Sequence, residues 1–397
     1  MKNYASKQGE KRGSDVKVIL YFLSIVFIVV LCSFISVGIW GGKQEQPIEI
    51  QEISISDGMT IREFGEINSL TNPVLREIFD LKSPADLDKN LDEYGNIEHI
   101  TALVRKNLAL ASEHATKNWT KIPVKFVLWF VFLIMVFIVL RNQSNTSVLR
   151  KWLYLLSILI FGVIMGSDPS PMGTVKDAIH LYGTTQAVYI PRMIALGIFL
   201  TIVYIANKYI CAWGCQAGTL QDLIFRVNRT KNFRAAIGRQ VKLPFVLTNT
   251  IRFVFFCIFT FAAVLWGAEI IEPIDPFKIY NPAHVGLLGG VFIGVLLVSS
   301  LFIYRPWCHL FCPFGLVGWI IEKVSFVKIS VDYDSCIACE KCSAACPSTV
   351  MDAILKRDTK TIPDCFACYT CRDVCPTDSI RFSSRKRTMP PADKFKK

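Results

Sequence analysis

Charge is thin in this chain: of 397 residues only 19% are Asp, Glu, Lys or Arg, and histidine occurs five times. There is no G-x-G-x-x-G fingerprint and no Walker loop, so a nucleotide cofactor would have to be held by a partner. No Ser/His/Asp or paired-carboxylate constellation stands out. What remains is apolar. Hydrophobic residues make up 52% of the chain and the mean hydropathy is +0.39, the composition of a membrane protein with soluble portions.

Six runs are long and apolar enough to cross a bilayer: Val18–Trp40, Val124–Leu140, Trp152–Gly166, Tyr189–Ile210, Pro244–Trp266 and Gly286–Tyr304. Orientation follows from basic residues, which stay on the cytoplasmic side. Lys2, Lys7, Lys11, Arg12 and Lys17 precede the first run. Arg141, Arg150 and Lys151 fill one even-numbered loop, and Arg226, Arg229, Lys231, Arg234, Arg239 and Lys242 the other, against a lone Asp222. The loops assigned outside carry 1 basic and 2 acidic residues (168–187), 1 and 3 (268–285), and 9 and 14 (43–122). Both termini are therefore expected in the cytoplasm and 43–122 outside it. The net charge of +12 reflects this bias and a basic tail (Arg385, Lys386, Arg387, Lys394, Lys396, Lys397), not a nucleic-acid surface. The first run, about 23 residues, exceeds a signal-peptide core and reads as a retained anchor.

The strongest chemistry follows the last run. "CIACEKCSAACP" and "CFACYTCRDVCP" both have the form C-x2-C-x2-C-x3-C-P, which wraps backbone around a cubane cluster and sends the fourth Cys to the other cluster. Cys336, Cys339, Cys342 and Cys375 are thus assigned to one [4Fe–4S] cluster, and Cys346, Cys365, Cys368 and Cys371 to a second. Zinc has no use for the repeated third Cys and Pro, and disulfides are unexpected in a cytoplasmic domain.

Two further pairs, Cys211/Cys215 in "CAWGCQAG" and Cys308/Cys312 in "CHLFCPFG", stand four residues apart at the cytoplasmic ends of the fourth and sixth runs. On a continuous helix, residues i and i+4 share a face, so four thiols can converge as an additional redox or metal site. Spacing leaves open iron–sulfur, copper, another metal, or two dithiols. Cys32 and Cys257 read as packing residues.

In combination, "CAWGCQAG", "IEPIDPF", "CHLFCPFG" and the two C-terminal runs make residues 125–385 resemble multi-spanning membrane ferredoxins of the NapH/NosR type. Gln216 stands where the family motif has Pro. The resemblance implies electron transfer from a quinol or another carrier toward extracytoplasmic reductases or their assembly.

The expected fold is an α-helical integral membrane protein of about six transmembrane helices with a C-terminal α+β double-cluster bacterial-type ferredoxin domain. Its parts are a cytoplasmic segment (1–17), an anchor (18–40), a small helical extracytoplasmic domain (43–122), a five-helix membrane domain (123–325), a 2[4Fe–4S] domain (326–385) and the basic tail (386–397). In 43–122, Ile61, Phe64, Ile67 and Leu70 set a helical period and "IEHITALVRKNLALASEHA" a second helix. The segment lacks a C-x2-C-H haem signature, and partner docking suits it better than metal binding by His99 or His114.

All these ligands sit on one side of a hydrocarbon core about 30 Å thick. Electrons then need a quinone site in the membrane, a cofactor from a partner subunit, or no crossing at all. Asp168, His180, Asp275 and His284 in the outer loops are the groups available for quinone protons, against the plainer reading of solvated loop residues and caps. Arg192, whose charge would cost about 2.5–3.5 kcal/mol at the bilayer centre, is expected near the interface and paired with Asp168. The expected function is membrane-bound iron–sulfur electron transfer between a cytoplasmic or quinone-linked carrier and a membrane or extracytoplasmic redox partner, in contact with membrane lipid and other redox subunits. The alternative is a metal reductase, for copper as an example, or a maturation factor using Cys211, Cys215, Cys308 and Cys312.

Overall fold

A computed structural model describes residues 2–40, 53–115 apart from 57, 119, 121–142, 146–356 apart from 231, 364–384, 387–391 and 394–395. Part of the 386–397 tail, including Lys386, Lys396 and Lys397, lies outside the described residues, as does Arg385.

Three helices are long and apolar enough to cross a membrane: Asp15–Ile39 within Lys2–Trp40, Lys121–Arg141 and Phe245–Trp266. The last is closed by Gly267, whose positive φ of 62° lets its amide reach back to Ala262 and Ala263. The other three expected spans break into shorter pieces. Thr146–Ser157 passes into a π-helical stretch, Ile158–Ile164. Ile190–Ala206 has 17 residues and Leu287–Ser299 has 13. At 1.5 Å per residue these last two are about 25 and 20 Å long, short of a hydrocarbon core of about 30 Å. Asn207 and Arg305, both at positive φ, turn the chain after each of them, and it folds back into the bundle as a hairpin carrying one Cys pair.

The two hairpins have the same layout. Tyr209–Trp213 is followed by Gln216–Val227, and Pro306–Leu310 by Pro313–Glu322. The first is anchored inside the bundle by Trp129, whose Nε1 donates to Gly214 O at 3.0 Å, and by Tyr280, whose hydroxyl donates to Gln216 O at 3.1 Å. The second is held by Trp307, whose Nε1 lies 3.2 Å from Met172 Sδ and whose ring packs on Phe292 at 6.0 Å.

Residues 53–115 form a helical unit around Phe64, Leu75, Leu91, Ile100 and Val104. Its first helix, Ile61–Ile67, opens with a capping box between Thr60 and Glu63. The helix stops at Asn68, so the expected period ends early and Ile67 is exposed. Its last helix, Ile97–Ala115, spans the expected stretch and meets the bundle through Ala109 against Leu181, Ala187 and Tyr189. There Arg192 pairs with Glu113 at 2.9 Å and Asp177 at 3.4 Å. The expected partner Asp168 is instead 3.1 Å from Lys125.

The C-terminal segment joins two short antiparallel strands, Lys328–Val331 and Ile380–Ser383, in the register Ile329 to Phe382. Between them lie both Cys runs and the helices Lys341–Ala345, Val350–Lys356 and Thr370–Asp373.

Candidate redox centres

The two C-terminal runs adopt the same backbone. Ala338 and Glu340 in the first, and Ala367 and Tyr369 in the second, all take left-handed conformations, with φ of 53°, 54°, 50° and 64°. Non-glycine residues rarely rest there, and backbone amides gathered by alternating turns form concavities that receive anions. Cys342 lies within electrostatic reach of Cys336, Cys339 and Cys375. Cys371 does so with Cys346, Cys365 and Cys368, and the last four line one cavity together with Tyr304, Phe366 and Tyr369. Cys371 is also within electrostatic reach of Cys342 of the first run. Burial pushes the Cys342 thiol up to about 11. At Cys375 the amides of Thr377 and Ser379 outweigh burial and hold the thiol below its ordinary value. Among the described residues no three His, Cys, Asp or Glu side chains close on a single metal-ion position.

The bundle thiols also converge. Cys211, Cys215, Cys308 and Cys312 lie within electrostatic reach of one another. The members of a pair do not share one continuous helix as expected. Cys211 and Cys308 sit within the short first helices, whereas Cys215 and Cys312 are the N-caps of the second ones. Gly214 ends the first turn, and Phe311 does so in the second hairpin. A helix N-terminus favours a thiolate, and the Gly315 amide donates to Cys312 Sγ at 3.4 Å.

Around these thiols the bundle buries ions that sequence reading missed. Arg305 donates to Cys211 O at 2.5 Å and to Asp222 at 2.8 Å, and Arg226 pairs with the same Asp222 at 2.7 Å. Arg252 donates to Cys308 O at 3.3 Å and to Asp364 at 2.9 Å, while Lys208 pairs with that Asp364 and reaches Gly315 O at 3.3 Å. In each clamp two cations share one carboxylate, and Lys208, Arg252, Arg305, Asp222 and Asp364 are all buried. Buried charge is costly unless matched, so a thiolate-held anionic group fits the surplus. A signal was available: Lys208 and Arg305 each stand three residues before the first Cys of their pair. Close approach is enforced by glycine. A Cβ on Gly218 would lie 2.5 Å from Cys211 O, and one on Gly315 2.8 Å from Cys308 O.

Comparison with known proteins is consistent with this division. Residues 329–382 match the 4Fe-4S dicluster domain family. The chain carries iron–sulfur domains. Residues 189–234 and 285–330, which hold the two hairpins, match the family described as 4Fe-4S binding domain. A protein of Escherichia coli (strain K12) named "Putative electron transport protein YccM" is 30% identical over 180 residues, 42% of this chain and 49% of that protein. The chain thus spans about half the length of that relative. "Uncharacterized protein MJ0749" of Methanocaldococcus jannaschii is 24% identical over 211 residues, 52% of this chain and 77% of that protein. No solved structure matches the chain.

The C-terminal domain meets the bundle at both runs, with Lys242 donating to Ser343 O at 2.8 Å in the first. At the second, Trp213 Nε1 donates to Ala367 O at 3.1 Å, Arg226 to Thr370 Oγ1 at 2.9 Å, and Arg150 to Asp373 at 2.8 Å. Glu322 accepts from the Cys365 amide at 3.0 Å. In the first run Cys339 is exposed.

The four outer-loop groups are not gathered into one site. Asp168 is with Lys125, and His180 is 3.6 Å from Glu269. Asp275 caps Pro276–Tyr280 through the Phe277 amide, and His284 is exposed. Lys176 is buried among Asp177, Glu269, Glu272 and Asp275. His99 and His114 are both exposed.

Proposed function

We propose that this chain is a membrane-bound iron–sulfur electron-transfer protein of the NapH/NosR type. It passes electrons between a cytoplasmic carrier and a quinone-linked, membrane or extracytoplasmic redox partner. Cys336, Cys339, Cys342 and Cys375 hold one [4Fe–4S] cluster, Cys346, Cys365, Cys368 and Cys371 the second, and Cys211, Cys215, Cys308 and Cys312 a further centre within the bundle. When bound, each cluster supplies a one-electron couple whose potential is set by charge, hydrogen bonding and exposure. The protein's part is position and electrostatics.

The observation that carries the reading is the meeting of the four bundle thiols beside the second C-terminal run. The exposed Cys339 side faces outward to a soluble carrier, and the buried second run faces the bundle. On the far side Tyr280 touches the hairpin backbone at Gln216, which shortens the remaining path to the outer loops. The three long helices, with the three shorter segments and their hairpins, make the six crossings. Both termini stay in the cytoplasm, and the 53–115 unit lies outside, where it docks a partner. Lipid surrounds the exposed apolar faces of Phe245–Trp266 and its neighbours.

The test is iron and acid-labile sulfide content with EPR of anaerobically purified, dithionite-reduced protein, wild type against Cys211→Ser/Cys215→Ser. About eight irons in both would leave only the two C-terminal cubanes, whereas more iron and a signal lost in the variant is the expected result. A different metal held by the four thiols would sink the iron–sulfur assignment of the bundle centre.

A further inference from the structure

Phe366 stands between Cys365 and Cys368 in sequence and is buried. Its ring leaves the C-terminal domain and enters the bundle at the join of the two hairpins. Lys208 Nζ lies 4.3 Å from the ring centroid and Arg305 Cζ 5.4 Å from it. The His309 ring, next to Cys308, is 4.9 Å away, and the Tyr304 ring 6.4 Å. Lys208 and Arg305 occupy equivalent places in the two hairpins, each three residues ahead of a thiol. One aromatic ring is therefore in reach of a cation from each half, with Asp364 two residues before it paired to Lys208 and Arg252. The electron-rich ring face attracts a cation, and does so more strongly where water is excluded.

We infer that Phe366 is the positioning residue that locks the second Cys run onto both hairpins, so that the C-terminal domain is a fixed part of the bundle centre and not a tethered shuttle. This rests on the reading that both thiol sets are redox centres. The inference concerns docking: the ring sets the separation of Cys365 and Cys368 from the hairpin thiols, and the ion clamp resists its withdrawal. Simple apolar packing would need volume alone, whereas a ring in contact with two cations needs the π face.

The experiment uses the full chain in lipid nanodiscs, as wild type, Phe366→Leu and Phe366→Ala. Hydrogen exchange is read at 364–375 and 208–215, and EPR of the dithionite-reduced protein is read for magnetic interaction between centres. Phe366→Leu should raise exchange in both segments on the order of tenfold and weaken the interaction, and Phe366→Ala should raise it further, with iron content kept in both. Wild-type exchange in Phe366→Leu overturns the inference, because volume would then suffice. Lost protection throughout the chain, Phe245–Trp266 included, also overturns it, because a positioning residue acts locally. If no bundle signal exists in the wild type, the redox reading of the hairpin thiols fails, and the exchange data still decide the role of Phe366.

Discussion

The two Cys hairpins share a layout and differ in who completes them. Arg305, ahead of Cys308, finds its carboxylate in Asp222 on the other hairpin, so that pair closes within the bundle. Lys208, ahead of Cys211, finds Asp364, which belongs to the C-terminal domain 156 residues further along. The ion pair of one half is thus made within the bundle, and that of the other only when the C-terminal domain arrives. The difference teaches that the bundle and the C-terminal domain are one electrostatic unit, although their sequences read as separate modules.

Substituting the two carboxylates breaks this comparison most directly. Asp222→Asn should be the more damaging, because it leaves Arg305 and Arg226 facing a neutral amide inside the bundle. Breaking a buried pair in this way costs about 3–5 kcal/mol, and thermal unfolding of the whole protein should register it. Asp364→Asn should instead loosen the C-terminal domain first, seen as protease cleavage between 323 and 365 before the bundle melts. Equal, bundle-wide destabilisation by both would erase the asymmetry drawn here.

A smaller effect is expected at the glycines. Gly218→Ala and Gly315→Ala each drive a methyl toward a Cys carbonyl oxygen, at 2.5 Å and 2.8 Å, and overpacking of this kind costs about 1–3 kcal/mol. The Gly218 variant should lose more stability in a melting assay, since its contact is the tighter one. The smallest effect belongs to Cys257→Ala: this partly exposed thiol lies outside both sets, so metal content should stay at the wild-type value. A fall in iron would make Cys257 part of a site.

Much of the C-terminal chemistry was legible because its ligand spacing is local. C-x2-C-x2-C-x3-C-P brings its thiols within a few turns of backbone, and the crossing of Cys346 and Cys375 between sets follows from the motif itself. The convergence of Cys211, Cys215, Cys308 and Cys312 was also legible in outline, from two matched pairs at one level. The break in each pair was not, since an apolar run such as Tyr189–Ile210 gives no sign that its helix ends at Asn207 and that the next one stops again at Gly214. Pairing of ions was least legible: Asp168 and Glu113 are both plausible partners for Arg192 by proximity in the topology, and only packing of the 53–115 unit selects Glu113. The same holds for Asp222, which as a lone acid among loop arginines looks like solvated surface and is in fact fully buried.

The duplicated hairpins also impose an order of manufacture. The first thiol pair is complete at residue 215, but its counterparts are not translated until residue 312, and Phe366 follows later still. For that interval the nascent chain carries an unmatched Cys211/Cys215 pair and an unmatched Lys208 inside an unfinished bundle. Completion of the four-thiol set is thereby a late event in synthesis, timed by the ribosome's arrival at the last third of the message.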